Sequence, residues 1–440
     1  METIKFTSDN SFGKFKILNA TNGGPVYKRH ANDQWRTNIT EYTAAKIPYS
    51  RNHDSNACMT YGGPYAHDVN AIFPDFDADE NDPSSYDFAC TDESIACTLE
   101  AGTRTFFRLG STIEHHIKKH ATLPPRDFGK WARVCEHIIR HYTEGWADGF
   151  NYDMPYWEIW NEPDLDADDC PSKRCWGGTK AQFFDFFEIS AKHLKSCFPE
   201  LKIGGPALAN DLVWADDFLA EMEKRKVPLD FFSWHIYATE PSELVNRAEK
   251  VRQLLDKYGY AGTESILNEW NYVKDWTDNF VYSLESIHGI KGAAFMMAVI
   301  SEAQKSPVDM LMYYDTRPST FNGAFDFYTC RPLKGYYPLR WYGDFYSLDR
   351  EVRAITDAKD IYTLCGADRD GKMTAVVTHY SENDDKENVT VRLVFDISAG
   401  KKPQYDVFLL DRTHDGEFIG NTDELVFDMP VHSCLLIKEK

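Results

Sequence analysis

A chain of 440 residues with 42% hydrophobic content is long enough to bury more than one core. Lysine and arginine number 48 against 69 aspartates and glutamates, a formal charge of −21, and simple repulsion then excludes nucleic acid and anionic membrane surfaces as partners. No apolar run approaches the roughly 18 residues of a membrane span, so no membrane insertion is expected.

Met1-Glu2-Thr3-Ile4-Lys5 opens no secretory signal, but a signal already removed leaves the same sequence, so cytoplasmic, periplasmic and secreted locations all stay open. From about Lys14 to Ser347, short apolar strands alternate with helical stretches, the pattern of an α/β fold in which eight parallel strands close into a (β/α)8 TIM barrel. The predicted strands are Phe15 to Asn19, Lys46 to Ser50, Arg104 to Leu109, Tyr156 to Trp160, Lys202 to Gly205, Phe231 to His235, Ser265 to Asn268 and Met310 to Tyr314. Between them, Thr179-Lys180-Ala181-Gln182 is a capping box ahead of Phe183, Phe184, Phe186 and Phe187, the stretch Phe128 to Trp146 is amphipathic, and Gly259 closes a helix begun near Ser242. Residues 14–347 exceed the roughly 250 of a bare barrel, which leaves room for long loops at Phe73 to Ser85 and Leu165 to Gly178.

After Ser347 the texture changes to alternating segments: Ile361 to Cys365, Thr374 to His379, Val389 to Phe395, Gln404 to Leu410, Glu424 to Val431 and Ser433 to Lys438. Turn signals such as Asp368-Arg369-Asp370-Gly371 separate them, and the pattern predicts an accessory C-terminal antiparallel β-sandwich over residues 348–440. Thr3 to Phe6 is a further strand-like piece, and the sequence leaves open whether residues 1–13 join the sandwich. The ten cysteines have no paired C-x-x-C spacing of a metal site, and Cys170 and Cys175, on either side of Pro171 to Arg174, leave a disulfide open.

The residues that end the predicted barrel strands carry the chemistry. Tyr156 to Trp160 runs into Asn161-Glu162-Pro163, where the proline lacks an N–H and stops the ladder, so Glu162 sits at a strand tip. Ser265 to Asn268 runs into Glu269-Trp270-Asn271 with the same grammar. Either glutamate alone reads as a solvated loop residue. Together they supply a proton donor and a nucleophile, the pair that glycoside hydrolysis with retention needs about 5 to 5.5 Å apart. Arg51-Asn52-His53-Asp54, His235-Ile236-Tyr237 and Tyr313-Tyr314-Asp315 end other strands, and alternation points His235 and Tyr237 to one side. His116 with His120 and His137 with His141 have helical metal-ligand spacing but lack H-E-x-x-H, and Gly204-Gly205-Pro206 lacks the spacing of a phosphate loop. The expectation is therefore no metal and no cofactor.

Trp160-Asn161-Glu162-Pro163, His235-Ile236-Tyr237 and Asn268-Glu269-Trp270-Asn271 resemble the retaining glycosidases of clan A, most closely glycoside hydrolase family 39, over both barrel and sandwich. Arg51-Asn52-His53 and Asn19 with Gly23-Gly24-Pro25 favour that family within the clan. The family includes β-xylosidases and α-L-iduronidases. The resemblance implies that Glu162 is the general acid/base and Glu269 the nucleophile. It implies further that Asn161 holds the sugar 2-hydroxyl, Tyr237 bonds the nucleophile, and His235, Arg51, His53, Tyr314 and Trp270 complete the substrate site. Asp164 is closer to the iduronidase form and Trp270-Asn271 to the xylosidase form, so the sequence leaves the sugar undecided.

The leading expectation is a retaining glycosidase acting by double displacement on a β-xyloside-like pyranoside of an oligosaccharide or polysaccharide. A uronate-processing or endo-acting enzyme of the same family, and a glycan-binding protein with little turnover, are the readings beside it. The sequence sets no oligomeric state.

Overall fold

A computed structural model describes residues 1–26, 37–53, 66–395 and 403–440. Asp54 falls outside these. Strand β1 (Glu2–Ser11) precedes the barrel, whose strands are β2 (Ile17–Asn22), β3 (Tyr49–Arg51), β4 (Arg104–Leu109), β5 (Tyr156–Ile159), β6 (Lys202–Leu208), β7 (Phe231–Ala238), β8 (Glu264–Tyr272) and β9 (Met310–Tyr313). Each pairs in parallel with the next, and β9 pairs back on β2 to close the ring. The ends of β7 and β8 run past the predicted ones because the two strands pair with each other out to Ala238 and Tyr272.

The barrel interior is built in layers, two residues of strand per layer. Tyr49, Phe106, Tyr156, Phe231, Ile266 and Met310 fill the lower end as a separate apolar cluster. One step up each strand the filling turns polar: Arg51, Arg108, Glu158 and Asn268 are all buried there. An apolar floor with a polar storey above it directs the chemistry to the C-terminal rim.

Outside the ring, helices cover the other face of the strands. The helix Lys180–Cys197 begins with the predicted capping box: Gln182 N–H donates to Thr179 Oγ1 at 3.2 Å and Thr179 N–H to Gln182 Oε1 at 2.9 Å. Its four phenylalanines are buried, Phe187 against Phe218 with ring centroids 4.9 Å apart. The helix Phe128–Glu144 is capped by Asp127 and stops at Gly145, whose φ of 76° a side chain would oppose.

The remaining strands are β10 (Arg350–Ile355), β11 (Ile361–Ala367), β12 (Met373–His379), β13 (Val389–Phe395), β14 (Tyr405–Leu410), β15 (Asp415–Thr422), β16 (Val426–Met429) and β17 (Ser433–Glu439). Among the described residues they form, with β1, a nine-stranded sheet in the order β15-β14-β17-β12-β11-β10-β1-β13-β16, antiparallel except where β1 meets β13. The sheet curls over its own core: Phe395 of β13 and Tyr405 of β14 stack at 5.2 Å although six positions separate their strands in that order. The predicted β-sandwich is this curled sheet.

Two of its strands carried no readable pattern. β10 is interrupted by charges, Arg-Glu-Val-Arg, and β15 is a largely exposed edge strand with two glycines. The helix Ile290–Ala303 is buried almost all round because barrel lies on one side and sheet on the other, with Phe295 and Tyr380 rings 5.5 Å apart.

Truncating Phe187 to alanine should cost about 3–5 kcal/mol, since the ring is fully buried among other rings. The midpoint of denaturant unfolding measures this, with Val213→Ala, an exposed side chain, as the control. Equal midpoints for the two variants would contradict the packing described.

Candidate active site

At the tip of β5 the backbone leaves the strand in an unusual way. Trp160 has φ 73° and Glu162 has φ 47°, left-handed conformations that cost a residue with a side chain about 1–3 kcal/mol each. Bonds on both sides hold them. Trp160 N–H donates to Leu109 O at 2.7 Å, Trp160 Nε1 to Cys175 O at 2.9 Å, and Glu162 N–H to Ala207 O at 2.9 Å. The consequence is that two consecutive side chains, Asn161 and Glu162, reach partners at the rim instead of alternating. Asp164, two residues on, accepts the backbone N–H groups of Ala209, Asn210 and Asp211 at 2.8–3.0 Å. It braces the loop after β6.

A different irregularity serves β8. Trp234 pairs with Leu267 but His235 pairs with Glu269, so Asn268 is an extra residue in the ladder. Such a bulge lets neighbours share a face. Asn268 Nδ2 donates to Glu158 Oε1 at 2.5 Å and Glu269 accepts from Tyr237 Oη at 2.6 Å, both inside the ring. Trp270 is thereby turned outward.

Arg51 joins the two tips. Its Nε donates to Glu158 Oε2 at 2.7 Å, Nη2 to Asn161 Oδ1 at 2.6 Å, and Nη1 to Asn22 Oδ1 at 3.3 Å and Glu269 Oε2 at 3.4 Å. His235 Nδ1 lies 2.9 Å from Glu162 Oε1 and 3.7 Å from Glu269 Oε2. One oxygen of each glutamate and a ring nitrogen of His235 sit within 4.8 Å of one another, close enough for one sugar carbon to lie between both carboxyl groups. The spacing equally suits a metal triad, though the hydrogen bond to Glu162 accounts for the His235 placement without an ion.

Burial governs the protonation of this cluster. It pushes the Glu269 carboxyl up to about 7 against the pull of His235 and Arg51, and the charge of Glu162 adds to the rise. His235 is held below its ordinary 6.5, chiefly by burial, so the ring is neutral. It donates to an ionised Glu162 and can accept from a protonated one. Tyr237 is raised well above 10 by burial and by Glu269, and stays a donor. Cys175, buried and likewise raised, donates its thiol to Glu162 Oε2 at 3.8 Å.

Of the residues expected at the site, Glu162, Glu269, Asn161, His235, Tyr237 and Arg51 share this one network. His53 is buried and accepts at Nδ1 from Arg108 Nε at 3.1 Å, within a pair of Arg108 and Asp68. The Tyr314 ring flanks Tyr237 at 6.5 Å. Trp270 does not belong: it is fully buried against Phe295 of the helix layer and Tyr313, where no sugar can stack. An exposed aromatic beside this network, among the described residues, is Trp276, 57% accessible, with its ring 5.0 Å from Tyr237 and 5.8 Å from Phe321.

The sequence reading missed Trp276, Cys175, Glu158 and Asn268. A tryptophan in the polar run Lys274-Asp275-Trp276-Thr277-Asp278, and a glutamate inside the apolar run of β5, were the available signals. Cys170 and Cys175 are both free thiols.

A closed parallel barrel with two glutamates at its C-terminal rim and a curled sheet beside it is the layout of the barrel glycosidases. The chain belongs to the glycosyl hydrolases family 39, whose model matches residues 27–315. A β-xylosidase of Caldicellulosiruptor saccharolyticus is 30% identical over 165 residues, 36% of this chain and 32% of the relative. A β-xylosidase of Geobacillus stearothermophilus is 28% identical over 181 residues, 38% of this chain and 34% of the relative. The chain thus matches about a third of the length of each of these relatives. The fold is shared throughout with a glucosidase from Croceicoccus marinus, at TM-score 0.80 and 23% identity over 100% of this chain and 99% of that one. A monomeric β-xylosidase from Caulobacter crescentus CB15 covers 100% and 99% at TM-score 0.71 and 16% identity.

The raised Glu269 carboxyl has a consequence for stability. Between its ordinary 4.5 and about 7 the folded protein holds a proton that the unfolded chain has released, so this group's contribution falls as pH rises through that window. Glu269→Gln removes the effect. Its melting temperature should equal that of the wild type near pH 4 and exceed it by several degrees at pH 8, as read by calorimetry; an offset independent of pH would disprove the assignment.

Proposed function

We propose that the protein is a retaining glycoside hydrolase that cleaves a neutral, β-xyloside-like pyranoside by double displacement. Residues 14–347 form the catalytic unit in this reading, and residues 348–440 with 1–13 form the accessory one. The observation that carries it is that one oxygen of Glu162 and one of Glu269 lie within 4.8 Å of each other at the rim, which suits the carboxyl spacing of about 5–5.5 Å in retaining pairs better than the roughly 6.5–9.5 Å of inverting ones.

Glu269, ionised while Glu162 holds the proton and aimed by Tyr237 and Arg51, attacks the anomeric carbon and forms a glycosyl-enzyme. Glu162 gives its proton to the leaving oxygen, then takes one from the water that releases the sugar. His235 exchanges hydrogen-bond roles with Glu162 as that proton leaves and returns. Asn161, its Oδ1 occupied by Arg51, has Nδ2 to offer the 2-hydroxyl, a contact that strengthens in the oxocarbenium-like transition state. Trp276 supplies the apolar face on which a ring's C–H groups stack.

Neutrality of the substrate is supported by the cations among the described residues. Arg51 serves Glu158, Arg108 serves Asp68 and Arg317 serves Asp315, each at 2.6–2.9 Å, whereas a uronate carboxylate wants a cation of its own. Asp164, the residue closest to the iduronidase form, is taken up by three backbone N–H groups and so argues for neither sugar. The relatives named β-xylosidase favour the xyloside within the neutral sugars.

Purified protein should release nitrophenol from the β-xyloside in a panel that includes β-glucoside, α-arabinoside and α-iduronide. Glu269→Gln should lower turnover by about 10³-fold or more with the fold intact. Release by that variant at the wild-type rate would remove the nucleophile from the scheme, and release from the iduronide alone would reverse the choice of sugar.

Glu162→Gln should slow substrates with poor leaving groups by orders of magnitude while sparing the first step on activated aryl glycosides, because these depart without a proton. Trp276→Ala should raise KM severalfold and leave kcat nearly unchanged.

A further inference from the structure

Away from the rim, the outer helices carry a second cluster of chemically reactive side chains. On the helix Lys180–Cys197, His193 and Cys197 lie one turn apart and face Glu136 of the helix Phe128–Glu144. His193 Nε2 is 2.7 Å from Glu136 Oε2 and 3.9 Å from Cys197 Sγ, and one donor atom from each of the three falls within 4.8 Å of the others. All three are half-buried. The histidine pairs singled out by sequence spacing lack this convergence: His137 Nδ1 bonds the carbonyl of Arg133, and His141 bonds Asp92 and the carbonyl of Trp146.

We propose that Glu136, His193 and Cys197 bind a borderline-soft divalent cation, zinc by preference, clasping the two helices that precede and follow β5. Thiolate, imidazole and carboxylate together form a zinc donor set, and the thiol disfavours magnesium and calcium. The separations of 2.7 and 3.9 Å bracket the roughly 3.3–3.8 Å between neighbouring ligands of a tetrahedral ion with bonds of 2.0–2.3 Å, and the third, Glu136 to Cys197, lies within 4.8 Å, so shifts of about 1 Å or less in each pair bring the three donors to ligand spacing. Water completes the fourth position on the open side.

The groups around the cluster are consistent with a single carboxylate ligand. Arg140 Nε donates to Glu136 Oε1 at 2.9 Å while its Nη1 meets Glu144, so one oxygen of Glu136 is occupied and the other is aimed at His193. An outer hydrogen bond of this kind orients a ligand. Binding replaces the Glu136–His193 hydrogen bond, with the imidazole proton moving from Nε2 to Nδ1 so that Nε2 can ligate, and releases the Cys197 thiol proton to solvent, leaving the thiolate and Glu136 to balance the two charges of the ion. No electron changes hands.

The site is independent of the proposed activity, and its test is read without substrate. Protein stripped with a chelator and titrated with Zn²⁺ in a calorimeter should bind one ion per chain with micromolar or tighter affinity, and its melting temperature should rise by a few degrees. Co²⁺ in place of zinc should give a thiolate charge-transfer absorption. Cys197→Ser should abolish that absorption, and both Cys197→Ser and His193→Ala should weaken zinc binding at least tenfold. Glu269→Gln, which alters the rim triad of Glu162, His235 and Glu269, should leave the binding unchanged.

Absence of saturable binding would mean that the three residues form an ion pair and nothing more. Binding lost in Glu269→Gln but kept in Cys197→Ser would place the ion at the rim. Either result would overturn the proposal.

Discussion

Arg51 and Glu158 form an ion pair with no exposed surface inside the closed barrel, and the rim carboxylates stand on it. Two charges taken out of water there gain little net stability from each other, yet removing either would leave the other stranded, at a cost of about 3–5 kcal/mol. The pair is therefore a fixed post. From it one arm of Arg51 reaches Asn161 beside Glu162, and another reaches Glu269. Glu158 meanwhile holds Asn268 at the bulge that turns Glu269 inward. The guanidinium thus contacts Glu269 directly and the neighbour of Glu162, while His235 Nδ1 lies between the two carboxylates, 2.9 Å from one and 3.7 Å from the other.

The strained tip of β5 and the bulge in β8 solve one geometric problem in two ways. A regular strand shows every second side chain to the lumen, so it delivers one functional group per layer. Left-handed residues flanking Asn161 and an extra residue at Asn268 each bring two adjacent groups to the same face. The local energy these conformations cost is returned by backbone bonds to β4 and to the end of β6, and by ring packing beneath, where Trp160 lies 5.2 Å from Trp176 and 5.4 Å from Phe186.

The curled sheet is tied to the strand that carries Glu269. Tyr272, three residues further along β8, donates to Glu382 in the turn after β12, and Lys274 and Lys291 meet the same carboxylate. Lys291 also reaches Asp384 at 2.9 Å. Cations from the barrel and acids from the turn hold the two parts in register beside the apolar contact of Phe295 with Tyr380. The sheet thus bears on the C-terminal end of β8, and Tyr380 Oη donates to the carbonyl of Thr239 just past β7.

Periodicity in the sequence was enough to determine eight barrel strands, the capping box at Thr179 and six of the sheet strands, because each depends on residues near one another in the chain; the pairing of the N-terminal strand with β10 and β13 joins segments far apart in the chain and stays open in the sequence. The two glutamates were legible for the same reason: a polar group at the end of an apolar run marks a strand tip. Trp270 read as a sugar contact because a sequence does not reveal a bulge, which arises only when β8 pairs with β7 and one residue is left over. β10 and β15 were hidden by charges and glycines that are tolerated where a strand is paired at the joint of the curl or left exposed at an edge. Arg51, Glu158 and Asn268 come from distant segments, as do His193 and Glu136. Their meeting is a property of the closed ring and its helix layer, since only long-range packing fixes which buried charge finds which partner.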